Sequence, residues 1–199
     1  WDHLAAQIPH RHTNRRAGSG AAIPLDALER LRRAAESVEG SRLQLLTRTT
    51  QLKEIGEILG AGDRVRFMGR KLYQEMMSEM RWSAEEARAT ADGIDVATLE
   101  LGAAESAAIR LCRSWAAMSV LARVGGRGLE AMSRKLVASS SAVGLLSVAG
   151  GEPGSRFSGG RALSRLWLTS SELGIALQPM ASLPYLFARL DRGATSDLT

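Results

Sequence analysis

Arg11-His12-Thr13-Asn14-Arg15 sets two guanidinium forks around a hydroxyl and an imidazole within five residues. A guanidinium presents paired planar donors that match phosphate oxygens, and a threonine hydroxyl adds one more donor. This set suits a phosphate, a ribityl chain or the electron-rich pyrimidine edge of a flavin. By chemistry alone, a solvated basic turn accounts for the same residues.

Other reactive residues offer less. His10 and His12 point to one side of an extended segment. Without a neighbouring carboxylate or thiolate, and with His3 adding nothing, two imidazoles fall short of a metal site, so no metal is expected. The glycine-rich stretch Gly150–Gly160 precedes a helix, where backbone donors attract anions. It lacks both the Gly-Lys-Ser/Thr ending of a nucleotide phosphate loop and the dinucleotide Gly-x-Gly-x-x-Gly spacing. An anion site and a plain turn explain it equally. No Gly-x-Ser-x-Gly elbow is present, so serine hydrolysis has no support. The single cysteine, Cys112, lies in the apolar stretch Ala107–Ala117, which points to a packed thiol and excludes an intramolecular disulfide.

The elements that must position these residues follow from periodicity and breakers. Ile23-Pro24 introduces a helix over Leu25–Glu39 closed by Gly40, and Arg42–Thr47 alternates as a strand. A helix carrying Leu52, Ile55, Ile58 and Leu59 is stopped by Gly60-Ala61-Gly62. A second follows over Asp63–Met80. Met68, Leu72, Met76 and Met80 form an i, i+4 ridge on it, read as core or subunit contact. Ser83 and Glu86 spell a capping box, and Gly93 closes the short helix it opens. Helices are predicted over Ala104–Arg123 and Gly128–Val137, separated by Gly125-Gly126. Ala142–Val148 reads as the best strand. After it, Gly159-Gly160 opens a helix in which Leu163, Leu166, Trp167 and Ser170 recur at helical spacing. Gly174 stops that helix and Ile175-Ala176-Leu177 restarts as a buried strand ended by Pro179. Together these predict a parallel, right-handed βαβ unit.

Composition bounds the function. With 199 residues and 45% hydrophobic content, one domain with an ordinary core is the natural expectation. The net charge of +5 invites a nucleic-acid reading. Yet 23 of the 26 basic residues are Arg, mostly interleaved with Glu as in Glu29–Arg33, and only Arg11, Arg15 and Arg16 cluster tightly. Dispersed surface Arg accounts for the charge, so no nucleic-acid partner is expected. Arg110, Arg113 and Arg123 interrupt the most apolar region, so no membrane span is expected either. The chain opens on Trp1 without a methionine or signal pattern, which suggests a segment of a longer protein.

Arg11, Thr13 and Arg15, with His12 in the variable slot, match the Arg-x-Ser/Thr-x-Arg/Lys pattern near the start of nitroreductase-like flavoproteins. The run from Gly159-Gly160-Arg161-Ala162 to Gly174-Ile175-Ala176 resembles that family's helix leading into the strand at the pyrimidine end of the flavin. Gln178-Pro179-Met180 resembles the turn that follows. Glu79–Ser83 and Asp92–Leu101 resemble a branch in which such a region is fused to a ThiF-type adenylyltransferase domain in actinobacteria. The family's Pro-Ser-x-x-Asn-x-Gln-Pro-Trp loop is absent. In branches with two related halves that loop precedes the Arg-x-Thr-x-Arg segment, so an upstream half is expected. The basic cluster that holds the phosphate near the family's C-terminus is also missing before Thr199.

The resemblance implies an α+β nitroreductase-like fold with a central mixed β-sheet flanked by helices, spanning residues 1–199 as a single domain of a longer chain. It implies FMN as cofactor, NAD(P)H as electron donor and a small-molecule acceptor. Arg11, His12, Thr13, Arg15, Gln178, Pro179 and Met180 would be cofactor-binding, with no side chain assigned as catalytic. A homodimer or an internal pseudo-dimer in the cytoplasm is implied as well. The alternative is a non-catalytic module of the same fold, serving assembly or regulation of an attached ThiF-like enzyme.

Overall fold

A computed structural model describes residues 2–123 and 125–194. Trp1 and Thr199, on which the reading of the chain ends rests, lie outside the described residues. A 3₁₀ helix over Asp2–His10 leads to α1 (Leu25–Glu36), β1 (Ser41–Leu46), α2 (Thr49–Met68), α3 (Arg70–Ser78) and β2 (Met80–Arg81). Next come α4 (Ala84–Thr90), β3 (Ile94–Asp95), a 3₁₀ turn over Val96–Leu99, α5 (Ala103–Cys112) and α6 (Trp115–Arg123). A 3₁₀ turn over Arg127–Glu130 precedes α7 (Ala131–Ala138), β4 (Val143–Val148), α8 (Pro153–Glu172) and α9 (Ser182–Asp191). The architecture is mixed α+β and mostly helical. No described helix is long and apolar enough to cross a membrane.

Two compact units divide the chain: Trp1–Lys53 with Val137–Pro179, and Glu54–Leu136 with Met180–Thr199. In the first, β1 and β4 pair antiparallel, with Leu43 opposite Leu146 and Gln44 opposite Leu145. Leu43, Leu45 and Leu146 share one face of this sheet, because partners directly across and residues two apart point the same way. Against that face pack Leu31 and Ala35 of α1 and Leu163 and Leu166 of α8. The stripe Ala27, Leu31, Ala34, Ala35 is the buried side of α1, at the i, i+4, i+7, i+8 spacing of an amphipathic helix. At the sheet's rim the Leu43 N–H donates to the Glu36 carboxylate at 3.1 Å.

The parallel βαβ unit expected from the sequence is not formed. β4 takes β1 as an antiparallel partner, and 175–177 makes a single parallel bridge, between Leu177 and Thr13. The reason lies in how α8 ends. Gly174, at φ +67°, turns the chain, its N–H bonds the Ser171 carbonyl, and the Ile175 N–H returns to the Ser170 carbonyl at 2.8 Å. This is the paired closure that an αL residue permits. It takes the first donor of a three-residue segment, leaving too little backbone for a ladder. A central mixed sheet is therefore not seen among the described residues, where the sheets are β1–β4 and the short parallel pair β2–β3.

α8 also begins earlier than Gly159-Gly160, at Pro153, which suits the first helical position because its missing N–H would have no partner there. Gly159 lies inside the helix, where a Cβ would sit 3.4 Å from Val148 Cγ1, so the glycine lets helix and strand approach closely.

In the second unit, Tyr73, Cys112 and Met118 form a buried cluster with Phe67, Met76, Met77, Trp115, Leu121 and Leu129 around it. The packed-thiol reading of Cys112 holds. α2 runs through Gly60 and Gly62 and breaks at Gly69 instead. Both glycines are contact points, for a Cβ would meet Glu130 Cβ at 3.0 Å and Leu183 Cδ2 at 2.6 Å respectively. The methionine ridge is correspondingly split: Met68 ends α2, Leu72 and Met76 belong to α3, and Met80 lies in β2. Leu72 and Met80 are buried, in accord with a core role. The predicted helix over Ala104–Arg123 divides at Arg113-Ser114, where the Tyr73 hydroxyl donates to the freed Arg113 carbonyl at 2.7 Å. Ser83 accepts from the Glu86 N–H as the capping box predicts, while the Glu86 carboxylate takes the Trp82 N–H at 2.8 Å.

Candidate functional site

The two segments singled out by chemistry and by resemblance meet in the first unit. Thr13 bridges Leu177, and the Asn14 N–H donates to the Leu177 carbonyl at 3.2 Å. Asn14 Oδ1 in turn accepts from the Arg16 N–H at 3.0 Å, fixing the exit of the segment. Its entry is fixed by Trp167 of α8. The Arg11 guanidinium carbon stands 4.3 Å from the centre of the Trp167 ring, and Trp167 Nε1 donates to the His12 carbonyl at 3.3 Å. A guanidinium over an indole face is held by the ring's quadrupole.

An open cleft of about 620 Å³ lies beside this junction, lined by Pro9, His10, His12, Trp167, Ser171 and Gly174–Leu177. His12 and Leu177 reach it; Arg11, Thr13, Arg15, Gln178 and Pro179 are not among its lining residues. Thr13 and Arg15 are half-buried and Arg11 is exposed. Gln178 is half-buried and Pro179 exposed, while Met180 falls in the second unit.

Sequence reading placed Trp167 with the helix's apolar residues. The structure buries Leu166 and Ser170 and leaves Trp167 half-buried on the flank that faces His12. Pro9, Trp167 and Ser171 were thus missed as cleft residues. The available signal was the i, i+4 spacing of Trp167 and Ser171, one position off the buried Leu166–Ser170 pair.

The anion reading of the glycine loop loses its basis. Glu152 precedes Pro153, so the N-terminus of α8 already has a carboxylate beside it. That group accepts from its own backbone N–H and from the Ser155 hydroxyl at 2.9 Å, which holds it below the usual range. The loop is a turn with its own anion. His12 Nδ1 lies 2.9 Å from the His10 carbonyl oxygen, and both histidines line the cleft. Among the described residues no group of three or more His, Cys, Asp or Glu is placed to hold a metal ion.

In the second unit a cavity of about 510 Å³ is lined by Arg66, Glu75, Glu79, Ser182 and Tyr185 among others. Its charges are largely paired internally. Arg189 Nη1 donates to Glu75 at 2.7 Å, and the Tyr185 hydroxyl donates to the same carboxylate at 2.8 Å.

No family model matches the chain, and no solved structure matches it. Over 180 residues, 90% of this chain, it is 34% identical to the uncharacterized protein MT1398 of Mycobacterium tuberculosis (strain CDC 1551 / Oshkosh). The matched region spans 25% of that protein's length.

Proposed function

We propose that this chain is an FMN-binding, nitroreductase-type oxidoreductase region, with NADH or NADPH as electron donor and a small molecule as acceptor. One observation carries the reading: the Thr13–Leu177 bridge sets the Arg-x-Thr-x-Arg segment beside the stretch that the resemblance assigns to the same flavin site. The donor set fits such a cofactor, because two guanidiniums and a hydroxyl supply charge-assisted donors for a phosphate or an electron-rich ring edge. When bound, FMN supplies the hydride chemistry. The chain's part is to hold and orient it: Arg11, Thr13 and Arg15 as side-chain ligands, His12 within their segment, and the backbone of Gln178, Pro179 and Met180 as a wall. A relative of whose length the matched region is 25% accords with a region of a longer protein; the fused partner that the resemblance implies is a ThiF-type adenylyltransferase. A cytoplasmic homodimer, or a pseudo-dimer with an upstream half, completes the proposal.

The second reading, a module without catalysis, draws on the Arg11–Trp167 stack and the Trp167–His12 bond, which order the segment with protein groups alone. The visible spectrum of the purified full-length protein separates the two. A flavin spectrum, or FMN uptake followed by fluorescence quenching, is expected. Arg11→Ala should weaken uptake about ten- to a hundredfold, or about 1.5–3 kcal/mol. Colourless protein that takes up no FMN puts the module first.

A further inference from the structure

We propose that the free edge of β4 pairs two copies of this chain, antiparallel and centred on Leu145. The pairing rests on the homodimer proposed above, whose surface it names, and needs no flavin. In an antiparallel pair, every second residue of a strand turns its N–H and C=O away from the partner strand. The Ala149 N–H bonds the Gly40 carbonyl, so the outward residues of β4 are Gly144, Leu146 and Val148. Among the described residues no hydrogen bond reaches these outward groups, and Gly144 is exposed. The other edge of the ladder differs, since the Leu43 N–H already serves Glu36. Val143–Val148 holds no charge and no proline, the residues that ordinarily blunt an edge. Its outer face carries Leu145, 60% exposed, between Val143 and Ser147.

Self-complementarity selects a second copy as the occupant. A two-fold axis between identical antiparallel strands sets one residue opposite itself. With Leu145 at that point, the pair is a non-hydrogen-bonded one, whose side chains stand closest, and the exposed leucine buries against its own copy. Gly144 then exchanges both backbone bonds with the partner's Leu146, and on the inner face that leucine meets a residue without a side chain. Centring on Leu146 would instead set Leu145 opposite Ser147 and lose this contact. Charge agrees with the first register. Gln44 flanks Leu145, and Arg42, beside Ser147, goes to opposite corners of the combined sheet, so no like charges face each other.

The test uses the full-length protein and cysteine variants, with the linked peptides identified by mass spectrometry after oxidation. Residues opposed in a non-hydrogen-bonded pair stand about 4.5 Å apart at Cα, within disulfide reach. Leu145→Cys is expected to link to its own copy. Ser147→Cys alone is not, because its two copies stand about 13 Å apart along the strands, but mixed with Val143→Cys it should link to that position. Leu145→Lys sets two ammoniums face to face and should weaken dimerisation about tenfold. In the parent protein the Leu146 amide should exchange hydrogen faster in the monomer reached by dilution than in the dimer, a measurement that needs no substitution. No link at Leu145, a link at Ser147 alone formed as fast as at Leu145, or equal Leu146 exchange in monomer and dimer would each overturn the pairing. An amide protected in the monomer too would put another segment of the protein on this edge. A dimer by sedimentation without the Leu145 link keeps the homodimer and removes this surface, and FMN titration reads the flavin site separately.

Discussion

Arg11 and Trp167 form a stacked pair, the guanidinium carbon 4.3 Å from the ring centre, while the same indole donates to the carbonyl of the next residue, His12. One side chain of α8 thus holds both the side chain and the backbone at the start of the basic segment. Thr13 and Asn14 anchor its middle to Leu177.

Trp167→Leu should therefore remove a surface stack and one hydrogen bond, costing about 1–2 kcal/mol. Leu166→Ala, one residue earlier and buried, should cost about 2–5 kcal/mol through the cavity it leaves. Urea denaturation of both variants checks the order. If Trp167→Leu costs more, the indole belongs to the core.

Burial pushes the Cys112 thiol up, so little thiolate exists at neutral pH and access is poor. Ellman's reagent should label the native chain far more slowly than the unfolded one. Labelling that is fast without denaturant would place the thiol at the surface.

Burial also pushes the Asp63 carboxyl up, against the Ser133 hydroxyl bonded to it and Arg66 at 3.8 Å. The folded chain then holds this proton more tightly than the unfolded chain, whose aspartate titrates near 3.8. Stability contributed by the protonated form is present below that value and falls as pH rises through the raised folded one. Asp63→Asn keeps an acceptor for Ser133 and removes this slope. It should gain stability over the parent at pH near 7 and lose that advantage toward pH about 4, where aspartate is ordinarily half-protonated. Denaturation midpoints across that interval decide it, and an equal or greater loss at neutral pH would reverse the sign.

Gly93 sits at φ +70°, and a Cβ there would lie 2.5 Å from the Glu79 carbonyl oxygen. Gly93→Ala should cost at least about 1–2 kcal/mol from the left-handed conformation alone. Thermal melting reads this directly, with an unchanged midpoint as the contrary result.

Local signals carried much of the fold. Pro24 marks the start of α1, the Ala27–Ala35 stripe marks its buried face, and Gly174 marks the end of α8. Each acts within one turn of chain and is written in adjacent residues. Gly60 and Gly62 misled because a glycine that admits a neighbour looks, in sequence, like one that ends a helix. The division at Arg113 depends on Tyr73, forty positions away, and the choice of β1 over 175–177 as partner for β4 is a tertiary decision. At the site, residue types pointed to Arg11, Thr13 and Arg15. The role of Trp167 was hidden because its one-residue offset from Leu166 matters only once α8 is docked.

The carboxylate of Glu36 has a consequence for solution behaviour. The Ala149 N–H bonds the Gly40 carbonyl, and from there the antiparallel alternation turns the Leu43 N–H away from β4, toward the outer rim of β1. An incoming strand would need that donor to extend the sheet. Glu36 already holds it, and seating a foreign carbonyl there would set that oxygen against a fixed negative charge. A glutamate from the preceding helix thus acts as a guard against edge-to-edge self-association, the hazard that a short, two-stranded ladder carries at high protein concentration.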